Sequence, residues 1–432
     1  MKIDLRMRGM LVLVLAACGS EQLPAPDRKP VAIVPASASK AVDVLFLIDD
    51  SPGILDAQTN LKNNFPAFIN VLNEHGLPDL HLGVATSDLG TSAAGDAMPG
   101  PAIGTGAGMC AATGKAGDLQ TNGTPLVTGK FISDVANPDG SRSTNYTGTL
   151  ADAFSAIASV GANGCGFEQH LEAVKRALDG SNPANAGFLR PDASLAVIVL
   201  ADEDDCSFEH ASMIGNDTTT FGPLQSFRCT RFGITCDDGG LTSDAMDTPG
   251  HKDLCHSNEQ SPYLTHVADH VAFLKSLKPD PHMVTVGTII GDPRPVDIEL
   301  RSPPGSTTPI PALAQSCMYT DVSGGTEVAD PAVRIAELAD SFDRNVVGSV
   351  CQQDVSGTLV AIARQINSMT GSPCLVRDIP MPADCVVTDD AGPVTDYTLA
   401  ADPAMCPDGQ HLRLERGGTP TGTTVVSCTL PQ

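Results

Sequence analysis

Residues 41–54, AVDVLFLIDDSPGI, contain the feature that decides the fold. Five consecutive apolar residues, Val44 to Ile48, predict a strand buried on both faces, and the run stops at Asp49, Asp50 and Ser51. In open α/β sheets, ligands bind beyond the carboxyl ends of the strands. We therefore expect the carboxylates and the hydroxyl that follow this strand to lie at a binding site.

A second buried strand ends in the same way. The segment LAVIVLADEDDC, residues 195–206, has its apolar run at Leu195 to Leu200, and an acidic run, Asp202 to Asp205, follows it. Carboxylate oxygens are the ligands that hard cations such as Mg²⁺ and Ca²⁺ prefer. Two strands that both end in acidic residues therefore predict a site for such a cation.

Amphipathic helices alternate with the predicted strands. Apolar residues recur at helical spacing in five segments: 61–72, 167–178, 264–274, 332–342 and 355–369. Further strands are predicted at 80–88, 283–290 and 346–350. This alternation predicts an α/β fold with a doubly wound, mainly parallel sheet covered by helices on both faces.

Three parts of the chain do not follow this alternation. Residues of about 90–146 and 206–260 are polar or Gly-rich and contain cysteines, so they are expected to be disulfide-tied insertions, the first with an edge strand at Leu126–Ile132. Residues 372–432 contain four cysteines, many Gly and Pro, and the short apolar run TTVVSCTL. They predict a small β-rich appendix, which leaves residues 41–371 as the main domain.

The charge of the chain excludes one class of partner. The net charge is −25 and Trp is absent, so the chain has neither the basic surface nor the aromatic platforms that nucleic-acid-binding proteins use. The acidity is compatible with cation binding, but a solvated acidic surface is the commoner explanation of such a charge.

The N-terminus predicts export and a lipid anchor. Basic residues precede a short apolar core, Leu11–Ala17, and the sequence Leu15-Ala16-Ala17-Cys18 looks like a bacterial lipobox. Residues 1–17 are then the signal peptide, Cys18 is the lipidated residue, and residues 18–40, rich in Pro, Ala and Ser, form a tether. Gly19 after the cysteine is typical of lipoproteins sent to the outer membrane. An ordinary cleaved signal peptide with an incidental cysteine is the alternative.

The number of cysteines agrees with an oxidising compartment. Without Cys18 the thirteen cysteines become twelve, an even number that suits six disulfides. Spacing does not fix the pairing, but it favours neighbours in four groups: Cys110 with Cys165; Cys206, Cys229, Cys236 and Cys255; Cys317 with Cys351; and Cys374, Cys385, Cys406 and Cys428.

The order of these segments resembles the von Willebrand factor A-type (VWA) domain over about residues 41–370, most closely the form found in disulfide-rich bacterial lipoproteins. The resemblance rests on VDVLFLIDDS, LGVATSD, CGFEQHLEAVKRAL, LAVIVLADEDDC and MVTVGTIIGDP. It implies a doubly wound, Rossmann-like sheet. In metal-binding members, it also implies a site for Mg²⁺ or a similar cation, built from D-x-S-x-S, a Thr in a middle loop and an Asp after the fourth strand.

Carried over residue by residue, the resemblance gives four candidate metal ligands. Asp49 and Ser51 match the first two positions of the motif, Glu168 aligns with the Thr position, and Asp202 matches the Asp after the fourth strand. The third motif position falls on Gly53, which removes one hydroxyl ligand. The implied cation is Mg²⁺, with Ca²⁺ or Mn²⁺ as alternatives, and a degenerate site without metal stays open.

The motifs of common enzymes were not found in the sequence. GMCAATGKA, residues 108–116, has one residue too many between its glycines for a phosphate-binding loop, and neither GxSxG nor HExxH occurs. The chain is therefore expected to be a non-enzymatic, lipid-anchored binding or adhesion protein with a protein or cell-surface ligand. A metal-dependent hydrolase in the same acidic crevice and a structural envelope protein with a non-functional site are the alternatives.

Overall fold

The structure is a computed structural model that describes residues 28–34, 40–303, 306–370, 374–375, 379, 384–401, 412–417 and 421–430. The described residues form nine α-helices: α1 (Leu55–Leu72), α2 (Leu150–Ile157), α3 (His170–Leu178), α4 (Thr218–Phe221), α5 (Phe227–Gly233), α6 (Ser243–Met246), α7 (Val267–Ser276), α8 (Val333–Asp340) and α9 (Ser356–Met369). They also form nineteen strands: β1 (Arg28–Val34), β2 (Ala41–Ile48), β3 (Asp79–Thr86), β4 (Ile132–Ala136), β5 (Arg142–Thr144), β6 (Ser194–Leu200), β7 (Ile234–Asp238), β8 (Gly250–Ser257), β9 (Val284–Ile290), β10 (Val296–Arg301), β11 (Ile310–Leu313), β12 (Cys317–Thr320), β13 (Thr326–Ala329), β14 (Asn345–Ser349), β15 (Cys385–Asp389), β16 (Gly392–Val394), β17 (Tyr397–Ala401), β18 (Leu412–Arg416) and β19 (Thr424–Thr429).

A seven-stranded sheet forms the centre of the molecule. Its strand order is β14-β9-β6-β2-β3-β4-β5, and every pair from β14 to β3 is parallel, whereas β4 and β5 add antiparallel at one edge. Strand β2 lies in the middle, and residues 42–48 are buried because both faces of the sheet are covered. The register pairs Ile48 with Leu200 of β6 and with Thr86 of β3, so the three strands end side by side.

Helices cover both faces of this sheet. Helices α1, α2 and α9 pack on one face, where Phe46 of β2 meets Phe65 and Phe154. Helices α3, α7 and α8 pack on the other face around Leu45 and Leu47. The fold is therefore the doubly wound α/β fold that the sequence predicts. No helix in the described ranges is both long and apolar enough to cross a membrane.

The strand order creates a crevice at the carboxyl ends of β2 and β6. Strand β2 leads into α1 on one face, whereas the next long helix after β6, α7, lies on the opposite face. Neighbouring parallel strands whose connections diverge to opposite faces leave an opening between the connections. This opening is where the acidic segments predicted to form a site emerge.

Smaller sheets surround the central one. Strands β7, β8, β10 and β11 form an antiparallel sheet, β12 and β13 form a hairpin, and β17 pairs with β18. The C-terminal part forms a sheet in the order β1-β19-β15-β16, which gives the β-rich appendix expected from the sequence. The guanidinium of Arg344, at the start of β14, donates a hydrogen bond to the Ile33 carbonyl of β1 and joins this sheet to the main domain.

The disulfides follow the neighbour groups predicted from spacing. The described bridges are Cys110–Cys165, Cys206–Cys229, Cys236–Cys255, Cys317–Cys351 and Cys385–Cys428. The first and fourth confirm the two predicted pairs, and the other three lie within the predicted groups of four. Cys374 is also disulfide-bonded. Cys406 and the predicted lipidation residue Cys18 lie outside the described residues.

Several sequence predictions need correction. The edge strand expected at Leu126–Ile132 lies instead at Ile132–Ala136, because Gly129 has a φ of +97° and interrupts the extended backbone. The helix expected from residue 167 begins at His170, since the backbone groups of residues 168 and 169 form hydrogen bonds with neighbouring loops.

The tether predicted over residues 18–40 includes a strand, Arg28–Val34, because its residues pair with β19. Strands β10 to β13 were not predicted.

Candidate functional site

The candidate site lies where β2, β3 and β6 end. Asp49 and Ser51 follow β2, Asp202 follows β6, and Glu168 lies in the loop that leads to α3. The Asp49 amide donates to the Leu200 carbonyl at 2.9 Å, which continues the parallel ladder one residue beyond the strands. The Cys206 amide donates to the Glu168 carbonyl at 2.7 Å, so the Glu168 loop is fixed to the segment after β6.

Asp49 is fully buried at the centre of the site. Its Oδ1 accepts hydrogen bonds from the Ser51 amide at 2.7 Å and from the Ser87 hydroxyl at 3.1 Å. Its backbone carbonyl accepts from the side chain of Gln58 in α1 at 2.9 Å. Its second carboxylate oxygen, Oδ2, is buried and has no hydrogen-bond partner among the described residues. Asp49 is therefore held in place through one oxygen, and the other makes no hydrogen bond with the described residues.

Asp202 faces the Asp49 motif from β6. A Cβ atom added to Gly53 would lie 3.2 Å from Asp202 Oδ2, so the third motif position is next to the Asp202 carboxylate. Asp202 Oδ1 is buried without a hydrogen-bond partner in the part of the chain that is described. Loss of hydration and the neighbouring charge of Asp49 raise the pKa of Asp202 well above its usual range. The structure therefore brings Asp49, Ser51 and Asp202 together as predicted.

Two glutamates extend this acidic cluster. Glu168 is buried, and burial together with the charges of Glu203 and Asp49 raises its pKa well above the usual range. Burial, Asp330 and Asp49 raise the pKa of Glu203 to about 8. Shifts of this kind mean that burial and the neighbouring carboxylates favour the protonated form of these side chains.

Among the described ion pairs, the one made by Asp49 is with His170, which is positively charged when protonated. It is fully buried at the first turn of α3, and its Nε2 lies 3.7 Å from Asp49 Oδ2. Neither ring nitrogen has a hydrogen-bond partner among the described residues. Burial opposes the charged imidazolium, but Asp49 and the more distant Asp205 and Asp204 raise the pKa of His170 above its ordinary value. The same interaction with His170 overcomes the effect of burial and lowers the pKa of Asp49.

The other aspartates that follow β2 and β6 form hydrogen bonds or ion pairs with groups of the same chain. Asp204 accepts from the amides of Arg334 and Ile335 at the start of α8, at 3.0 and 3.2 Å. Asp205 pairs with the Arg334 guanidinium at 3.0 Å and accepts from the Leu171 amide at 2.9 Å. Asp50 pairs with Lys115 at 2.6 Å. These three carboxylates have partners within the chain and hold the loops in place, although Asp50 Oδ1 is also buried without a hydrogen-bond partner among the described residues.

A divalent cation fits the donors at the crevice. The unpaired oxygens of Asp49 and Asp202, with the hydroxyls of Ser51 and Ser87, provide the carboxylate and neutral oxygens that Mg²⁺ takes together with water. The carboxylates of Asp49, Glu168 and Asp202 do not form a group of three within 4.8 Å of one another. In the described ranges that arrangement occurs at Asp56, Asp321 and Glu327. The predicted carboxylate ligands therefore do not form a tight trio in the part of the chain that is described.

Ser87, His170 and Glu203 were not assigned to the site from the sequence. Ser87 directly follows the carboxyl end of β3, so the strand-end argument applied to β2 and β6 also points to it. Glu203 belongs to the acidic run after β6. His170 gave no sequence signal, because its contact with Asp49 arises only from the packing of α3 against the end of β2.

The strand order and the convergence of Asp49, Ser51 and Asp202 at the carboxyl ends of the strands are those of the expected fold. The chain has a VWA-like fold. No protein-family model matches the sequence, and no curated protein is similar to it. Similar solved structures include BatB from Bacteroides thetaiotaomicron, described as a conserved hypothetical protein, with 12% identity over 76% of this chain and 98% of that chain and a TM-score of 0.29.

Two further solved structures are similar to the VWA-like chain over 95% of its length. The von Willebrand factor type A protein from Catenulispora acidiphila is 11% identical over 68% of its own chain, with a TM-score of 0.29. The pilus adhesin SpaC from Lactobacillus rhamnosus GG is 10% identical over 44% of its own chain, with a TM-score of 0.32. Because these TM-scores lie below 0.5, the assignment rests on the strand order and site geometry of this chain.

Proposed function

We propose that this chain is an extracytoplasmic, lipid-anchored binding protein that holds a divalent cation at Asp49, Ser51 and Asp202. Glu168 and Ser87 support the cation from its surroundings, and the cation binds a carboxylate of a protein or cell-surface ligand. The observation that carries the proposal is the pair of buried carboxylate oxygens without partners, Asp49 Oδ2 and Asp202 Oδ1, at the ends of neighbouring strands. Like charges buried at such a place repel one another unless a cation neutralises them.

The experiment is a pull-down of surface extracts with the mature protein, in Mg²⁺ and in EDTA. We expect a partner that is retained in Mg²⁺ and released by EDTA, and that Asp202→Asn fails to retain. Asp192→Asn is the matched control, because Asp192 is exposed and precedes β6 at the opposite end of the strand. A partner that Asp202→Asn retains regardless of EDTA would contradict cation-dependent binding.

His170 favours a second candidate, a structural envelope protein with a non-functional metal site. A protonated His170 lies 3.7 Å from Asp49 Oδ2 and partly takes the place of a cation. In that case neither EDTA nor Asp202→Asn changes partner binding. The metal-dependent hydrolase is the third candidate, and turnover of a phosphoester or glycan library that stops in EDTA would favour it.

The anchor is proposed from the lipobox alone, since Cys18 lies outside the described residues. Cys18→Ser is expected to release the protein from the membrane fraction and to abolish labelling with a fatty-acid probe. Cys110→Ser with Cys165→Ser is the control, because it removes two other cysteines that form a disulfide. If the wild type is neither labelled nor found with membranes, the lipoprotein assignment is wrong.

A further inference from the structure

A cavity of about 360 Å³ opens beside the acidic cluster. Its volume lies within the range of natural ligand pockets, about 300–1,000 Å³. The cavity lies between the segment after β6, the start of α5 and the strands β10 and β11. Glu168 and Glu203 line it, so it adjoins the proposed cation site, but its other walls take no part in that site.

The polar part of the cavity is acidic. Glu168, Glu203 and Asp330 line it, and the one basic side chain in its lining is Arg301. Glu168 is only 2% exposed, although it lines the cavity, so a buried carboxylate faces this space. Arg301 is already engaged, because its guanidinium pairs with Glu299 at 2.8 Å and donates to the Leu313 carbonyl at 2.9 Å. The lining therefore contains more carboxyl groups than basic groups.

The remaining walls of the cavity are apolar. Phe227 and Leu313 are buried, Leu224 is exposed at the rim, and the Cys206–Cys229 disulfide closes another side. Lysine and arginine side chains combine an aliphatic stem, which packs on apolar surface, with a charged end. The cavity offers both environments next to each other.

From this lining we infer that the cavity is a pocket for a lysine or arginine side chain of the binding partner, with Glu203 and Asp330 binding the charged end and Phe227 and Leu313 packing against the stem. This inference rests on the proposed function and adds to it. The proposed partner presents a carboxylate to the cation, and the pocket would bind a basic side chain of the same partner. It does not depend on the cation, because the acids and apolar walls are present without one.

The test measures binding of small probes to the mature protein by NMR chemical-shift titration. The probes are Nα-acetyl-lysine methylamide and Nα-acetyl-arginine methylamide, with Nα-acetyl-norleucine methylamide as the neutral analogue. A charge-assisted hydrogen bond contributes about 1.5–3 kcal/mol, so at least one basic probe should bind about tenfold or more tightly than the neutral analogue. Equal binding of all three probes, or no binding, would overturn the inference.

Variants locate the probe. Glu203→Gln with Asp330→Asn should abolish the preference for the basic probes, whereas Asp192→Asn should retain it. Ser226→Trp should block binding without removing a charge, because Ser226 lines the cavity and makes no side-chain cap to α5. Undiminished binding by both the double variant and Ser226→Trp would place the probe elsewhere and refute the pocket.

Titrations in Mg²⁺ and in EDTA separate this inference from the proposed function. Binding of the basic probes in both media supports the pocket, even if no cation binds. Cation binding without a preference for basic probes would leave the proposed function standing and remove the pocket.

Discussion

At residue 53 the backbone explains why the third motif position is not a serine. Gly53 has a φ of +120°, and a Cβ atom there would approach Asp202 Oδ2 to 3.2 Å. A side chain at this position is therefore strained and also crowds a proposed cation ligand. The missing hydroxyl is a consequence of the local backbone, and restoring it should not restore a ligand.

We predict that Gly53→Ser lowers the free energy of unfolding by about 1–3 kcal/mol and weakens cation binding. Chemical denaturation and calorimetric titration measure the two effects. Gly76→Ser is the control, since Gly76 has a φ of +86° but a Cβ there meets nothing within 4 Å. It should lose stability and keep the cation affinity. Tighter cation binding by Gly53→Ser would show that a serine hydroxyl can reach the site.

His270 lies outside the candidate site, and its burial makes the free energy of unfolding depend on pH. Burial lowers the pKa of His270 from its usual 6.5 to about 4, and its Nε2 bonds to Thr265 Oγ1 at 2.8 Å. A histidine whose pKa is depressed on folding stabilises the protein above pH 6.5, and this stability is lost as the pH falls from 6.5 to about 4. The loss amounts to about 3 kcal/mol.

His270→Gln should remove part of this acid sensitivity. Denaturant unfolding at several pH values should show a smaller loss of stability between about pH 7 and pH 4 than in the wild type. If the His270→Gln profile coincides with that of the wild type, the histidine does not titrate in this way.

At the scale of elements, a disulfide connects the candidate site to its surroundings. Cys206–Cys229 joins the segment after β6 to α5, and both glutamates of the cavity lie near this segment. Removing a native bridge of this kind costs about 2–5 kcal/mol. We predict that Cys206→Ser with Cys229→Ser lowers stability and also weakens cation and probe binding, as measured by thermal unfolding and titration.

A bridge in another sheet is the control for this prediction. Cys385–Cys428 connects β15 to β19 in the C-terminal sheet, away from β2 and β6. Its removal should lower stability and leave the cation affinity unchanged. Equal effects of the two pairs of substitutions on binding would mean that the Cys206–Cys229 bridge has no specific role at the site.

The elements of the central sheet were largely predictable, because their signals are local. Strand β6 was expected at 195–200 and lies at Ser194–Leu200, and α9 was expected at 355–369 and lies at Ser356–Met369. Strands buried on both faces are continuous apolar runs, and amphipathic helices repeat every three to four residues. The short strands β10 to β13 lack such a signal, since their pairing depends on partners that only the tertiary structure brings together.

At the scale of the whole molecule, contacts between distant parts of the chain limited the prediction. Arg28 of β1 pairs with Thr429 of β19, so the segment predicted as a tether forms part of the C-terminal sheet. Composition rich in Pro and Ala gave no indication of a partner at the other end of the chain. The contact of His170 with Asp49 was missed for the same reason, whereas Asp49 and Asp202 were predicted because strand ends in a doubly wound sheet converge.

Calorimetric titration of the mature protein with Mg²⁺, Mn²⁺ and Ca²⁺ tests the central claim most directly. A cation that binds the folded state alone stabilises it by about 2.7 kcal/mol at a hundred times its Kd, so the melting temperature should rise as well. We predict binding and stabilisation in the wild type and in Asp192→Asn, and neither in Asp202→Asn. In EDTA, Asp202→Asn should melt at a temperature no lower than that of the wild type, because burial and the charge of Asp49 already disfavour the ionised Asp202 carboxylate. Absence of binding at millimolar concentrations of each cation, or equal binding by Asp202→Asn, would contradict a cation site at this crevice.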